Sequence, residues 1–220
     1  IITILFSVAL GIAYKTKINL YYLGWCFVLG ALWLLGESKL RQLLVPNTSV
    51  LASLCFVVVM LCPIPLLFYV DSIQQGRYKK LFYIIECVAL VNLTVSTILQ
   101  FAELADYLDT MIVSHVILGT TVLVILATFV LDYRKGKIKD YLLSVIGISI
   151  GVTGVLVEMV SAYLVVSISG IFLGTGLVFL LFFTIIKTVK DVRDMEERRH
   201  KEQIEIRRRQ TEAMSLQMIQ

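Results

Sequence analysis

Residues 164–220 read LVVSISGIFLGTGLVFLLFFTIIKTVKDVRDMEERRHKEQIEIRRRQTEAMSLQMIQ, and this stretch decides the fold. Its first part is apolar and its second part is highly charged, with no Pro in it and no Gly after Gly176. At ~1.5 Å rise per residue, a helix from Leu177 onward would be roughly 65 Å long. The pattern predicts a helix that crosses a membrane and continues into water as a charged rod.

The composition of the whole chain is that of a membrane protein. Its 220 residues are 58% hydrophobic and 16% charged, with a mean hydropathy of +0.87. An ordinary soluble domain is about 45–50% apolar and about 25% charged. The net charge of +4 is the size that basic membrane-flanking loops produce, so we expect a lipid bilayer as partner and no nucleic acid.

The four cysteines lie in apolar runs and have neither CxxC spacing nor an adjacent histidine. They are Cys26, Cys55, Cys62 and Cys87. Cysteines in such surroundings behave as small buried hydrophobes. We therefore predict no disulfide framework, no metal site and no cofactor.

Seven apolar runs approach or exceed the length of about 20 residues that a membrane-spanning helix needs. They are Ile1–Tyr14, Ile18–Leu35, Ser49–Val70, Leu81–Phe101, Met111–Leu131, Tyr141–Val160 and Leu164–Ile186. Lys15 and Lys17 separate the first two, because charge at the centre of a span is costly. The fold class is therefore an all-α membrane protein, a seven-transmembrane helical bundle over residues 1–186 followed by a charged signalling helix over residues 187–220.

The charges between the spans predict the orientation. Odd-numbered loops are basic, whereas the loop between spans four and five carries Glu103, Asp106 and Asp109 without a cation. Cytoplasmic loops carry the excess of Lys and Arg. We expect a multi-pass protein of the plasma membrane with the N-terminus outside and the C-terminus in the cytoplasm.

Small residues and prolines predict helix packing. Gly147 and Gly151 in span six, and Gly170 and Gly174 in span seven, have the spacing that permits close backbone approach. They serve either packing within the chain or a homodimer face on span seven. In span three, Pro63 and Pro65 remove two helical donors and predict a kink, which is either a hinge or a packing bend.

The charged helix has a weak heptad pattern. One core position contains Val192, Arg199, Ile206 and Ala213, and the other contains Met195, Glu202, Arg209 and Leu216. Half of these residues are charged, so an autonomous coiled coil is not expected. Either the helix is solvated, or it forms a weak parallel pair in a homodimer, which suits a signalling linker with two arrangements close in energy.

Polar residues within or near the spans are candidates for function, because ionisable groups in a membrane are expensive. Glu86 and Asn92 are intramembrane residues of span four. An outward-facing polar pocket is predicted from Glu37, Gln100, Glu103, Asp106, Asp109, His115 and Glu158. The alternative is that the loop acids are solvated and His115 is an interfacial histidine bonded to a neighbour.

Motifs of enzymes and of retinal proteins do not occur in the sequence. It contains no phosphate loop, HExxH, GxSxG or HxxEH, and residues 164–186 contain no Lys for a retinal Schiff base. We predict that these 220 residues are not an enzyme.

Several stretches resemble a known family. They are YLGWCFVLGALWLLGE (residues 22–37), PIPLLFY (63–69), LQFAELADYLDTMIVSHVIL (99–118) and the YRKGK loop (133–137). Together with seven spans and a charged exit helix, they resemble bacterial 7TM receptors with diverse intracellular signalling modules. The resemblance covers essentially the whole chain.

The resemblance implies a sensory domain before Ile1 and an output module after Gln220. Outputs in the family are GGDEF diguanylate cyclases, HD-GYP phosphodiesterases of cyclic-di-GMP and histidine kinases. The closing TEAMSLQMIQ is similar to the helix that enters HD-GYP or GGDEF modules, so the resemblance favours cyclic-di-GMP turnover. The ligand is unknown, and binding by the spans themselves remains an alternative to a separate sensory domain.

Two other classes of function stay open at this point. A small-solute or ion transporter or channel would show internal symmetry and a polar path through the bilayer. A passive membrane anchor would allow the spans to be exchanged without effect on output. The leading hypothesis is a signal-transducing region that couples an outside or intramembrane stimulus through span seven to the cytoplasm.

Overall fold

The computed structural model describes residues 19–37, 48–164 and 170–217, and all of their regular structure is helical. The helices are α1 (Asn19–Glu37), α2 (Thr48–Leu61), α3 (Pro63–Ile73), α4 (Lys79–Phe101), α5 (Tyr107–Arg134), α6 (Leu142–Tyr163) and α7 (Ile171–Gln217), with a 3-10 helix at Lys137–Tyr141. The first predicted span, Ile1–Tyr14, lies outside the described residues.

Five helical stretches within the described residues are long and apolar enough to cross a membrane. They are Ser53–Ile73, Lys79–Phe101, Tyr107–Arg134, Leu142–Ser161 and Ile171–Arg207, and α1 adds a shorter apolar helix at Tyr21–Leu34. These stretches overlap predicted spans two to seven. The prediction of a helical membrane bundle is confirmed.

Five helices form a closed ring. Going around it, α1 packs on α2, α2 on α5, α5 on α6, α6 on α7 and α7 on α1. Helix α4 lies outside the ring against α2, α3 and α5. Fully buried side chains on α3, α5 and α6, among them Leu67, Val122, Ile125 and Ile148, form the main core of the bundle.

The two ends of the bundle differ in charge. We call the end with the α4–α5 turn at residues 102–106 and the start of α7 the acidic end, since Glu103, Asp106 and Asp109 lie there. We call the opposite end, with the turn at residues 74–78 and the segment at residues 135–141, the basic end. These names describe composition and imply no side of the membrane.

The third predicted span is interrupted where its prolines begin. Helix α2 ends at Leu61 and α3 starts at Pro63, with Cys62 between them. Pro63 and Pro65 lack an N–H, so the helical hydrogen bonds to the carbonyls four residues earlier cannot form. The Cys62 N–H still bonds to the Val58 carbonyl at 3.0 Å, and Cys62 keeps helical φ and ψ of −54° and −39°.

Helices α6 and α7 touch through glycine backbones. A Cβ on Gly154 would lie 2.7 Å from the Phe172 carbonyl oxygen, and one on Gly176 would lie 3.2 Å from the Gly151 Cα. A Cβ on Gly147 would lie 2.9 Å from the Phe183 Cβ. Thus Gly147 and Gly151 face α7, and the matching glycine of α7 is Gly176.

The other two predicted packing glycines contact α1 instead. A Cβ on Gly170 would lie 3.2 Å from a methyl group of Leu34, and one on Gly174 would lie 3.9 Å from another. Gly170 also has a φ of +87°, a conformation that L side chains rarely adopt. Its role is to begin α7, since its carbonyl accepts the Gly174 N–H at 2.9 Å.

Helix α7 is continuous for 47 residues. It starts at the acidic end, packs along α6, and passes the basic end as an exposed charged helix. Pairs at i,i+4 brace it, namely Lys187 with Asp191 at 3.4 Å and Arg209 with Glu205 at 2.5 Å. Each such pair contributes only about 0.2–0.5 kcal/mol. The expectation of one unbroken helix from the bundle into the charged segment is met.

Candidate functional site

The ring of helices borders a partly open cavity, which we call the lumen. Its volume is about 280 Å³, and the residues that line it come from α1, α2, α3, α5, α6 and α7. Most of them are apolar or sulfur-containing, such as Cys26, Cys62, Phe56 and Val155. The ionisable acid and base among them are Glu158 and His115.

Glu158 binds the start of α7 from the neighbouring helix. Its Oε1 accepts the Gly170 N–H at 2.5 Å and its Oε2 accepts the Leu173 N–H at 3.3 Å. These N–H groups belong to the first turn of α7, whose donors have no partner within the helix. Gly170 has no side chain to accept them, so Glu158 does so from α6.

The charge of Glu158 suits this position. The N-terminus of a helix carries a partial positive charge, and a carboxylate there contributes about 0.3–1 kcal/mol, or about 2 kcal/mol when partly buried. Glu158 is only 7% exposed. Within the described residues it forms no ion pair, so the first turn of α7 is what compensates its burial.

His115 contacts the last residue of α6. Its Nδ1 lies 2.6 Å from the hydroxyl of Tyr163, and the two rings meet edge to face at 5.4 Å. Because Nδ1 is engaged, Nε2 is left for another partner, and no described residue bonds to it. The interaction joins α5 to α6 beside Glu158.

The structure brings two of the predicted pocket residues, His115 and Glu158, together at the lumen. Three others cap α5: Gln100 accepts the Tyr107 N–H at 2.8 Å, and Asp109 accepts the Asp106 N–H at 3.1 Å. Gln100 also donates to Asp106 at 3.4 Å. These bonds order the α4–α5 turn, and none of the three residues lines the lumen.

The remaining predicted polar residues are dispersed. Glu103 is exposed, with a φ of +55°, in the α4–α5 turn. Glu37 ends α1, and its side chain lies outside the described part of the structure. Asn92 donates to Ser114 at 2.9 Å and so links α4 to α5. Glu86 is buried on α4, near Asp71 of α3.

A buried polar network at the basic end did not emerge from sequence reasoning. Asp132 is fully buried and accepts three groups: Arg77 at 2.5 Å, the Tyr78 hydroxyl at 3.1 Å, and the Tyr141 hydroxyl. The Arg77 guanidinium also lies over the Tyr141 ring at 5.8 Å. The network ties the α3–α4 turn, α5 and the 3-10 helix together.

Both phenols of this network are held neutral. Burial, followed by the hydrogen bond to Asp132, raises the pKa of Tyr78 above its usual value and that of Tyr141 to about 12. A neutral phenol donates to the carboxylate, which is what the geometry requires. One signal was available in the sequence, since Asp132 is the single acid among the basic residues that follow span five up to Lys139.

No group of three His, Cys, Asp or Glu side chains with metal-binding geometry occurs among residues 19–37, 48–164 and 170–217. The lumen instead combines an apolar volume with a carboxylate that holds a helix terminus. The two oxygens of that carboxylate accept the Gly170 and Leu173 N–H groups at the start of α7.

Comparison with known families now defines the protein class. The fold is a helical membrane bundle with a long exit helix. Residues 1–188 match the family model described as 7TM diverse intracellular signalling. The chain therefore belongs to this family and is a signal-transducing sensor region of a multi-pass membrane protein. Comparisons with curated proteins and with solved structures find no match.

Proposed function

We propose that this seven-span region passes a stimulus received at its acidic end, or inside the bundle, through α7 to a cytoplasmic output module. The observation that carries the proposal is the single 47-residue helix α7. Glu158 holds its first turn inside the bundle, and its charged part extends past the basic end. A rigid element that belongs to both regions transmits displacement between them.

The proposed membrane orientation places the basic end in the cytoplasm. Arg77, Lys79 and Lys80 flank one turn at this end, and Arg134 to Lys139 flank the next connection. Excess Lys and Arg mark cytoplasmic loops. The exposed part of α7 leaves from the same end, so the N-terminus is outside and the output is inside.

The proposed output is cyclic-di-GMP turnover, by a diguanylate cyclase or an HD-GYP phosphodiesterase. What supports it is the likeness of residues 211–220 to the helices that enter such modules. A histidine kinase is the other output class. Whichever module follows, the chain up to Gln220 supplies the regulation and another domain supplies the catalysis.

The proposed assembly is a homodimer through span seven and the signalling helix. An exposed apolar seam on α7 supports it, formed by Val178, Phe182, Ile185 and Val189 at spacings of four, three and four residues. That spacing is the heptad pattern of helix pairs. Val192, at a predicted core position, lies seven residues after Ile185 and so continues one of the two positions of the seam; the other, that of Phe182 and Val189, is one residue away from the predicted core position of Met195.

Disulfide crosslinking tests the dimer in membranes. Val192→Cys, Arg199→Cys and Ile206→Cys occupy one predicted core position, and Glu197→Cys is the matched control on the opposite face. We expect oxidation to crosslink the first three efficiently and the control poorly. Equal, or absent, crosslinking at all four positions would contradict a paired helix.

Two further experiments separate the proposal from its alternatives. Replacement of residues 1–186 by an unrelated membrane anchor should abolish stimulus-dependent output, whereas a passive anchor predicts unchanged regulation. Reconstitution into liposomes should show no solute or ion flux, whereas a transporter or channel predicts flux. Either contrary result would overturn signal transduction as the role of the bundle.

A further inference from the structure

We infer that the lumen is a binding site for a small, mostly apolar molecule with one hydrogen-bond donor, a hydroxyl or amino group, that bonds to Glu158. The lumen would take the apolar part between the five helices of the ring. Its link to signalling rests on the proposed function above. The binding itself does not depend on that function.

The shape and lining of the lumen support the inference that it binds a small molecule. Each helix of the ring packs on the next, so helices border the cavity around its circumference, while part of its surface is open. A small-molecule site is typically concave and mostly apolar, with a few placed polar groups. The lumen has this composition, with Glu158 and His115 as the polar groups.

The volume limits the size of the ligand. A cavity of about 150 Å³ lined by apolar side chains accepts benzene. The lumen, at about 280 Å³, is nearly twice as large. It therefore suits a molecule of one or two rings, or a short branched chain, and excludes a complete lipid.

The acceptor sites of Glu158 that remain unused determine which polar group the ligand should carry. Each oxygen of Glu158 accepts one backbone N–H, and a carboxylate oxygen has two acceptor sites, so one site on each oxygen remains. A neutral or cationic donor fits these sites. An anionic ligand is excluded, because a second negative charge would face a carboxylate that is already buried.

His115 provides a second point of recognition. Its Nδ1 is engaged by Tyr163, and its Nε2 donates or accepts according to the tautomer. Both Glu158 and His115 line the lumen, so a ligand group that donates and accepts has two candidate partners there.

Binding at Glu158 would act on α7. The carboxylate that would receive the ligand also holds the Gly170 and Leu173 N–H groups. A donor that draws the carboxylate toward the lumen weakens those bonds, so the ligand and the first turn of α7 compete for one side chain. This is the step at which occupancy of the lumen becomes movement of the exit helix.

Thiol protection in nanodiscs tests the binding without any output domain. Cys26 and Cys62 line the lumen, whereas Cys87 on α4 does not, so one chain contains both the reporters and their control. The chain in dioleoyl phosphatidylcholine nanodiscs is treated with methyl methanethiosulfonate, and modification of each cysteine is followed by mass spectrometry. The probes are 2-naphthol, naphthalene, which lacks the donor, and 2-naphthoate, which is anionic.

We expect 2-naphthol to slow modification of Cys26 and Cys62 but not of Cys87. Naphthalene should require about a tenfold higher concentration than 2-naphthol for the same protection, because it cannot form the hydrogen bond to the charged acceptor. 2-Naphthoate should not protect. Equal slowing of all cysteines, equal potency of the three probes, or no protection up to the solubility limit would overturn the proposal.

Two variants and one lipid exchange complete the test. Val155→Phe fills the lumen from α6 and should abolish protection. Glu158→Gln should reduce the preference for naphthol over naphthalene, because the remaining amide oxygen is a neutral and weaker acceptor. Nanodiscs with shorter acyl chains should leave the unprotected rates unchanged. Rates that follow chain length would mean that lipid tails occupy the lumen, which also overturns the proposal. Failure here with intact α7 crosslinking would leave the proposed signalling role standing.

Discussion

Glu158 is a buried acidic residue whose carboxylate binds the N-terminus of α7. Its carboxylate is buried among apolar side chains, yet it satisfies two backbone donors of α7. Burial of an unpaired charge is costly, and the compensation here comes from the helix terminus. The side chain therefore stabilises the junction between α6 and α7.

Glu158→Ala should lower the stability of the bundle by about 1–2 kcal/mol, since two donors in the first turn of α7 lose their acceptor. Glu158→Gln keeps one amide oxygen and should cost less. Thermal unfolding in nanodiscs measures both. Glu103→Gln is the control, because Glu103 is exposed, and a loss as large there as at Glu158 would contradict the capping role.

Asp132 gives a second prediction at this scale. Asp132→Asn should destabilise the bundle by about 3 kcal/mol, the lower end of the range for breaking a buried ion pair, because Arg77 keeps some access to water. Arg77→Gln combined with Asp132→Asn should cost less than the sum of the two changes. Coupling of about 1–3 kcal/mol in this double-mutant cycle is expected for residues in contact. Strict additivity would show that the pair is not formed.

The sequence could predict the character of these residues but not their partners. An acid in an apolar run is conspicuous, so Glu158 and His115 were candidates. Of the seven residues predicted for one pocket, Glu158 and His115 line the lumen, whereas Gln100, Asp106 and Asp109 bond to one another across one turn. The pair of Arg77 and Asp132 spans 55 positions, and only the packing of α3 against α5 brings them together.

At the scale of the helices, α6 and α7 approach closely because glycines, which have no side chain, lie at their contact. Gly154→Ala would place a methyl group 2.7 Å from the Phe172 carbonyl oxygen, and a backbone atom cannot move aside alone. The two helices would have to separate, at a cost of about 1–3 kcal/mol. Unfolding temperature and α7 crosslinking yields measure the change.

A matched control lies on α5. Gly119 has no atom within 4 Å of its ideal Cβ position. Gly119→Ala should therefore be neutral, or stabilising by up to about 1 kcal/mol through helix propensity. If the two substitutions had the same effect, close backbone approach would not explain Gly154.

Glycine spacing and proline position were readable from the sequence at this scale. The small faces of span six and the interruption of span three both follow from local chemistry. The glycine of α7 that meets the glycines of α6 could not be predicted, because Gly170, Gly174 and Gly176 all lie in the same apolar run and each could allow close approach of a neighbouring helix. The register of α6 against α7 selects Gly176, and register is a property of the packed pair.

At the scale of the whole molecule, the charge asymmetry of the two ends predicts sidedness. Glu103→Cys should react with a membrane-impermeant maleimide in intact cells. Lys137→Cys should react only after the membrane is permeabilised. The reverse pattern would invert the proposed orientation, and with it the assignment of the acidic end to the outside.

The order of the apolar helices over predicted spans two to seven was predictable, because a span of about 20 apolar residues is a strong signal. The first predicted span lies outside the described residues, and the third consists of two helices, α2 and α3. The ring of α1, α2, α5, α6 and α7 was not predictable, since uniformly apolar helices do not reveal which face meets which neighbour. The lumen arises from that ring. Its existence could therefore not be predicted from the sequence, although two of its polar residues, His115 and Glu158, were identified.

The glycine contact makes α7 a lever. Its backbone approaches α6 at Phe172 and at Gly176, so a tilt of α7 about Gly176 would turn around a point near one end of the rod. At ~1.5 Å per residue, the arm from Ile171 to Gly176 is about 8 Å long and the arm from Gly176 to Gln217 is about 62 Å long. A shift of about half an ångström at the Glu158 cap then becomes roughly 4 Å at the far tip, if the rod stays straight. The loss of a single hydrogen bond at Glu158 would thus displace the far end of α7 by about the width of a side chain.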